Sequence, residues 1–458
     1  MWQTIKNAFS DKSIRNKIFA TFGLLLAFRI GCWIPLPGIT ADFYAGQFGG
    51  TGESNTIFQL LSMMSGGSMQ YLTLFALGIL PFINSFIIMQ LLTLIIPPLE
   101  RLSKQGDEGR EKITIITRYV AIALAVVQAI GIVVAYKDYI DPMFGEKNGW
   151  LTAIMIIALL VSGSTVVMWL GERITELGIG NGTSLIIFSG ILSSFGLALV
   201  NTIPQIQNDP KKLWNLFGYL LVVLFLFAFI VFVDGGERRI KVNYAKQVKG
   251  NKMYGGQSTF IPIKVNSSGV MPIIFASSFM TIPMMIFQFT GQDNQAFVNY
   301  MTFCYPGTTG SQWQWVGWVF YYLVMLVLII FFAYFYAQIQ FNPQDVARNL
   351  QQYGGSIQGI RSGKPTSDYL QKINNRIVLF GALFLGFIAI VPAALFQLIG
   401  GGLGINNAIS STGMLIAVSV ALEFNKQLEG QLMMKHYKGF LKYKRIYVLG
   451  IFRSAGSR

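Results

Sequence analysis

The sequence predicts an all-α polytopic membrane protein: ten transmembrane helices in two inverted five-helix halves, with one re-entrant half-helix. Three observations carry this expectation. The 458 residues are 53% hydrophobic and only 12% charged, against about 25% charged in a soluble chain, and the mean hydropathy is +0.52. Apolar windows fall at roughly 18–36, 71–97, 113–136, 149–171, 183–204, 214–234, 270–290, 315–340, 376–399 and 404–424, most of them near the roughly 20 residues that a bilayer demands. Five lie before residue 205 and five after 213. An odd number per half turns the halves over relative to each other, as in an inverted repeat. The repeat rests on topology, since the two halves share no convincing sequence identity.

Taken in order, the chain begins with a polar, amphipathic lead, residues 1–17, carrying Lys6, Lys12, Arg15 and Lys17. It lacks the short apolar region and small-residue cleavage site of a signal peptide, so no cleavable signal is expected. Arg29 sits inside the first span. Intramembrane charge is expensive and faces a cavity or a partner, and a structural pairing is the expectation here. The stretch 55–98 is the one around which the other spans are organised. Its first part holds Thr56, Ile57, Phe58, Leu60, Leu61, Met63 and Met64, apolar but too brief to cross a bilayer. Ser65-Gly66-Gly67-Ser68 then breaks any helix, and Leu72–Ile96 is long enough to cross, although Gly78, Pro81, Asn84, Ser85 and Gln90 interrupt it. A half-helix ending in lipid would leave backbone groups unsatisfied, so such an element must lie within protein or a water-filled cavity. We read 56–64 as re-entrant, with a cavity-lining helix after it; a signal-like or interfacial segment is the plainer alternative.

Basic residues orient the spans. With the N-terminus inside, the inner segments hold 29 of the 35 Lys and Arg, the outer segments hold Lys137, Lys147, Lys211 and Lys212, and only Arg29 and Arg118 fall within spans. This is a strong positive-inside bias. The net charge of +15 is therefore mostly cytoplasmic, and it fits either topology alone or a surface for acidic partners. Two inner loops are longer than topology requires. In 235–269, Arg239–Tyr244 and Ser258–Val265 alternate apolar and polar residues around a Lys/Gly-rich tip with Lys246 and Lys249, the pattern of a β-hairpin. In 341–375 a basic turn runs from Gly359 through Arg361 and Lys364 to Pro365, ahead of an amphipathic helix start. Long ordered loops are usually functional, and these two read as a docking platform for a large partner. The expected division is 1–204, a linker at 205–213, 214–424, and a basic tail at 425–458.

The same residues exclude much chemistry. There is one histidine, His436 in the tail, and two cysteines, Cys32 and Cys304, in or beside apolar stretches. No disulfide framework, metal site or cofactor is implied, and no nucleophile–base pair is apparent in the spans, so an enzyme is not expected. Gly178-Ile179-Gly180-Asn181-Gly182 does not follow a strand in a βαβ unit, so a nucleotide-binding reading fails. A secondary transporter is the main rival, because inverted repeats and broken helices suit both. Spans nearly free of Asp, Glu, Lys and His favour a passive pore driven from outside.

Several long segments, in order along nearly the whole chain, then resemble one family. FRIGCWIPLPGI (28–39), FALGILPFINSFIIMQLL (75–92), GDEGREKITIITRY (106–119), MWLGERITELGIGNGTSLIIF (168–188), RRIKVNYAK (238–246), the stretch 257–278, and 341–343 with 359–363 are similar to SecY, the central subunit of the bacterial protein-conducting channel. The resemblance implies a clamshell of two halves around an hourglass pore in the inner membrane, with both termini cytoplasmic. It makes Thr56–Met64 a plug. It places a constriction at Ile79 and Ile83 (GILPFI), Ile187 (LII), Ile274 (MPIIF) and Ile416 (GMLI). A narrow apolar gasket of this kind can dewet when empty and deform around a polypeptide. The resemblance also implies a lateral gate into lipid, near which Asn84, Ser85 and Gln90 face Ser277, Ser278 and Thr281. Weak interhelical hydrogen bonds, about 0.6–2 kcal/mol each, suit a seam that opens; ordinary helix–helix adhesion fits the same residues.

The implied partners are SecE clasping the halves, SecG, the motor ATPase SecA, the ribosome, signal-peptide-bearing preproteins and membrane lipids, with no DNA. Arg238, Arg239, Lys246, Lys249, Arg361 and Lys364 are the implied contacts of the cytoplasmic partners. Arg238 and Arg239 also suit anchoring at the headgroups. Two features depart from the family pattern: Asp234-Gly235-Gly236-Glu237 opens the first long loop with less basic character, and Tyr437–Arg458 mixes basic residues with an apolar run from Ile446 to Phe452. That run suits a membrane surface or an additional subunit.

Overall fold

Asp11 accepts the Ser13 backbone N–H at 3.0 Å and so caps α1 (Lys12–Gly31). The helix buries Ile14, Ile18, Thr21, Phe28 and Gly31 along one stripe, while Phe19, Phe22, Leu26 and Ile30 are exposed. A helix apolar on both faces belongs in a bilayer or a large core. In this computed structural model the described residues are 9–40, 43, 67–69, 71–136, 139–142, 149–208, 212–244, 247–249, 252–254, 258–266, 269–289, 314–399 and 413–433. The expected plug, Lys246 and the tail from 434 lie outside them.

Residues 71–79 correct an expectation. The apolar window 71–97 reads as one helix, yet these nine residues form turns, and α2 spans only Leu80–Ile95. The cause lies in the residues themselves. Pro81 stands in the first turn of α2, and Leu72 and Gly78 have φ of 42° and 55°, outside the helical region. The backbone is satisfied instead by the chain after α1: Leu36 N–H donates to the Leu72 carbonyl at 3.2 Å and Leu74 N–H to the Ile34 carbonyl at 2.9 Å. Thr73, Ala76 and Leu77 are buried, so this irregular backbone faces protein rather than lipid, as it must. α2 then turns by 100° at Ile96 into α3 (Pro97–Lys104).

The remaining helices are α4 (Asp107–Ala135), α5 (Trp150–Leu177), α6 (Gly182–Asn208), α7 (Lys212–Asp234), α8 (Met271–Phe289), α9 (Gln314–Gln340), α10 (Pro343–Gln352), α11 (Lys364–Ile399) and α12 (413–433). Among the described residues five helices are long and apolar enough to cross a membrane, or six with the bent pair counted as one. α1 is not among them, because it ends at Gly31, and any stretch of it near bilayer length takes in Arg15 and Lys17 as well as Arg29. Only 22–50% of each apolar window is buried within the protein, which fits a multi-pass membrane protein whose outer faces meet lipid.

α2 packs on α4, α4 on α5, and α5 on α6 and α1; farther along, α8 packs on α9, and α9, α7 and α10 on α11. The two parts of the chain meet where α8 lies against α4 and α2, and where α7 lies against α6. One hydrogen bond ties α2 to α4: Ser85, fully buried, donates its Oγ–H to the Thr117 carbonyl at 2.6 Å. Ser85→Ala is expected to lower the unfolding free energy in detergent by about 1 kcal/mol, read as a lower thermal midpoint; an unchanged midpoint would count against that tie.

The long loops carry the strands. β1 (Glu237–Tyr244) pairs antiparallel with β4 (Ser258–Lys264), Ile240 opposite Ile261, and with β5 (Gly355–Ile357), Val242 opposite Ile357. The period-two segments of the sequence are thus β1 and β4. β2 (Gln247–Lys249) and β3 (Lys252–Tyr254) pair beyond them.

Candidate pore constriction and basic platform

The five isoleucines singled out in the sequence are all buried and fall in one extended apolar cluster. Ile79 stands at the N-cap of α2, Ile83 in its first turn, Ile187 on α6, Ile274 on α8 and Ile416 on α12. Their exposures are 2, 9, 3, 6 and 4%, and all five belong to a single buried apolar cluster. Four helices from both parts of the chain therefore contribute β-branched side chains, stiff at χ1, to the same apolar interior. Ile186, Ile191, Ile273 and Phe275 fill out the cluster. Such a wall offers water and ions no hydrogen bond and so no favourable path.

Two contributors were not legible in sequence. A Cβ built on Gly171 of α5 would lie 3.5 Å from Ile186 Cδ1 and 3.6 Å from Ile79 Cδ1, in ordinary contact, so this turn of α5 lies directly against both side chains. Gly182 opens α6 so close to α5 that an added Cβ would overlap the Gly171 carbonyl, while its N–H donates to Thr175 Oγ1 at 2.9 Å. The glycine-rich loop is thus a close helix–helix junction that sets α6, and Ile187 with it, against α5. A bare glycine run gives no such signal; only its place between two apolar spans hints at it.

The polar residues near α2 and α8 are placed differently from one another. Ser85 bonds within its own part of the chain, and Ser277 Oγ donates to the Ile274 carbonyl of its own helix at 3.0 Å. Asn84 Oδ1 and Gln90 Oε1 are buried acceptors without a hydrogen-bond donor among the described residues. Ser278 is half-buried, and the Thr281 side chain lies outside the described residues.

The basic residues share one unit. Ile240, Val242, Ile263, Leu350, Ile357 and Leu370 form a small core that joins the sheet to α10 and α11. Arg238 and Arg239 are exposed on β1, and Arg361 and Lys364 are placed where α11 begins. Arg239 is paired with Glu237, Nε to Oε1 at 2.7 Å, whereas the Arg361 carbonyl accepts from Thr366 Oγ1 at 2.8 Å and fixes the turn. Lys249 lies in β2. Among the described residues no group of three or more His, Cys, Asp or Glu could hold a metal.

The architecture is that of the protein-conducting channels. A solved protein-conducting channel superposes with a TM-score of 0.63 at 21% identity, covering 91% of this chain and 92% of that one. Sec61 from the canine ribosome–channel complex of the endoplasmic reticulum gives 0.61 at 20% identity, over 91% and 92%. The family is fixed by sequence. The SecY profile matches residues 73–425. The protein translocase subunit SecY of Streptomyces scabiei is 40% identical over 96% of this chain and 100% of its own length, and that of Corynebacterium glutamicum is 38% identical over 96% and 99%. The chain belongs to the SecY family of protein translocase subunits.

Proposed function

We propose that this chain is the pore subunit of a bacterial inner-membrane translocase, passing unfolded preproteins outward and membrane segments sideways into lipid. The observation that supports the reading is that Ile79, Ile83, Ile187, Ile274 and Ile416 all lie in one buried apolar cluster. A gasket of this kind can hold ions at rest and yield around a polypeptide. On this reading residues 1–204 and 214–424 are inverted five-helix halves joined at 205–213, Thr56–Met64 is the plug, and the tail 425–458 is cytoplasmic. α8 against α2 and α4 is the lateral gate, with Asn84, Ser85, Gln90, Ser277, Ser278 and Thr281 along it.

The platform carrying Arg238, Arg239, Lys246, Lys249, Arg361 and Lys364 receives the motor ATPase SecA or the ribosome, whose RNA phosphates attract such side chains in a salt-dependent manner. The pairing of Arg239 with Glu237 favours Arg238, Arg361 and Lys364, which form no ion pair among the described residues, as the contacts. SecE and SecG complete the complex, and the chain itself does no bond chemistry. The test is reconstitution: purified complex in vesicles, SecA and ATP outside, and a radiolabelled precursor. Transport predicts a protease-protected precursor that depends on ATP. Absence of protection, together with ion-coupled uptake of a small solute, would favour the transporter.

A further inference from the structure

We propose that Arg29 is a positioning residue for the constriction: from α1 it holds the turn of α6 just beyond Ile187, and so keeps the apolar ring closed at rest. This rests on the ring reading above. Arg29 Nε donates to Ser189 Oγ at 3.3 Å, and Nη2 donates to the Ser189 carbonyl and, at 3.4 Å, to the Gly190 carbonyl. Carbonyls inside a helix ordinarily serve only the N–H four residues on. Here Gly190 has no side chain to shield its carbonyl, which also accepts from Ser194 Oγ at 3.2 Å. Three acceptors grouped within two residues match the rigid fork of a guanidinium and not the single ammonium of a lysine.

The same short piece of α1 braces a second ring position. Phe28 stacks on Phe75 with centroids 6.0 Å apart and planes 5° from parallel. The Arg29 guanidinium lies 5.6 Å from the Phe28 ring centroid, and Gly31 leaves room for the Phe75 ring, which an added Cβ would overlap. Phe75 precedes Ile79 by four residues, and Phe28, Phe75, Ile79 and Ile187 all belong to the constriction cluster. α1 therefore stands behind the ring with one residue against each of two elements: Phe28 against the segment bearing Ile79, Arg29 against the helix bearing Ile187. Loss of the guanidinium frees the α6 turn to shift while the apolar packing of α1 persists.

The test is resting ion conductance of the reconstituted complex, compared at equal amounts of folded protein. Arg29→Met keeps length and apolar stem but no donor, and is expected to raise resting conductance about tenfold or more, the scale on which charged hydrogen bonds shift a two-state equilibrium. Arg29→Lys is expected to fall between wild type and Arg29→Met. Thr366→Val controls for lost stability: Thr366, buried, donates its Oγ1–H to the Arg361 carbonyl at 2.8 Å in the platform, whose core is separate from the constriction cluster, so stability should fall without leak. Ile187→Ser tests the ring itself. If Ile187→Ser leaks and Arg29→Met stays tight, the role of Arg29 is overturned and the ring stands. If neither leaks, the ring reading fails and takes this inference with it. Equal leak from Thr366→Val and Arg29→Met would reduce the effect to lost stability and overturn the proposal. Should Arg29→Met yield no folded protein, Arg29→Lys and Ser189→Ala decide; wild-type conductance in both would overturn it.

Discussion

With Ile79, Ile83, Ile187, Ile274 and Ile416 all changed to serine, the resting channel is expected to conduct ions about a hundredfold faster than wild type, which corresponds to roughly 2.7 kcal/mol off the barrier. That is a modest demand. Each buried isoleucine contributes about 1.5–3 kcal/mol of apolar burial, and all five lie in one cluster at 2–9% exposure. Serine removes this apolar surface and supplies a hydroxyl that binds water, so the constriction wets. Changing the same five to valine preserves the apolar wall and is expected to leave conductance within a few-fold of wild type. The measurement is single-channel or bulk current across a bilayer without any translocating chain. A serine variant as tight as wild type would remove the constriction from this cluster.

Gly163→Val is expected to abolish most of the folded channel, for a reason independent of the pore. Gly163 of α5 lies so close to the irregular segment 71–79 that an added Cβ would overlap the Leu74 carbonyl oxygen. The neighbouring Ser164 Oγ donates to the Gly78 carbonyl at 3.1 Å. Backbone cannot move aside as a side chain can. The segment is also held on its far side, where Leu74 N–H donates to the Ile34 carbonyl. Overpacking alone costs about 1–3 kcal/mol or more, and separating α5 from the segment forfeits the Ser164 bond, about 1 kcal/mol. Steady-state amount in membranes and thermal midpoint in detergent are the readouts. Gly23 of α1, where a Cβ would meet nothing within 4 Å, provides the control: Gly23→Ala is expected to be neutral or slightly stabilising. A normal midpoint for Gly163→Val would contradict the close approach.

The elements behind these two predictions differ in how legible they are. The apolar windows come from composition, and the strands β1 and β4 from a period of two that no helix shares. Segment 71–79 reads as helix in sequence because windowed hydropathy counts apolar side chains and is blind to backbone angle; Gly78 and Pro81 are visible interruptions, but the backbone partners at Ile34 and Leu36 are not. The shortfall at α1 has a similar cause: the window 18–36 runs five residues past the end of the helix at Gly31, into the turns around Pro35.

For the constriction, periodicity alone does not separate Ile187 from Ile186, which is as deeply buried at 2%. The family motifs pick the five, and the fold buries all of them in one extended apolar cluster. Arg29 is recognisable as an intramembrane charge seeking a partner, but that partner lies 160 residues away on another helix, and no local pattern points to it. The polar residues of α2 are alike in this respect. Ser85 looks like its neighbours Asn84 and Gln90 in sequence, yet of the three side-chain oxygens it is Ser85 Oγ that has a close partner, on α4.

A photoreactive residue at Ile83, with a precursor arrested midway through the complex, tests the central claim most directly. A chain threading this constriction must pass within reach of Ile83, so a covalent adduct is expected there. None should form at Phe22, which is exposed on α1 where we place lipid. Absence of an adduct at Ile83, with the probe incorporated and the arrested precursor confirmed, would contradict passage of the polypeptide through the ring.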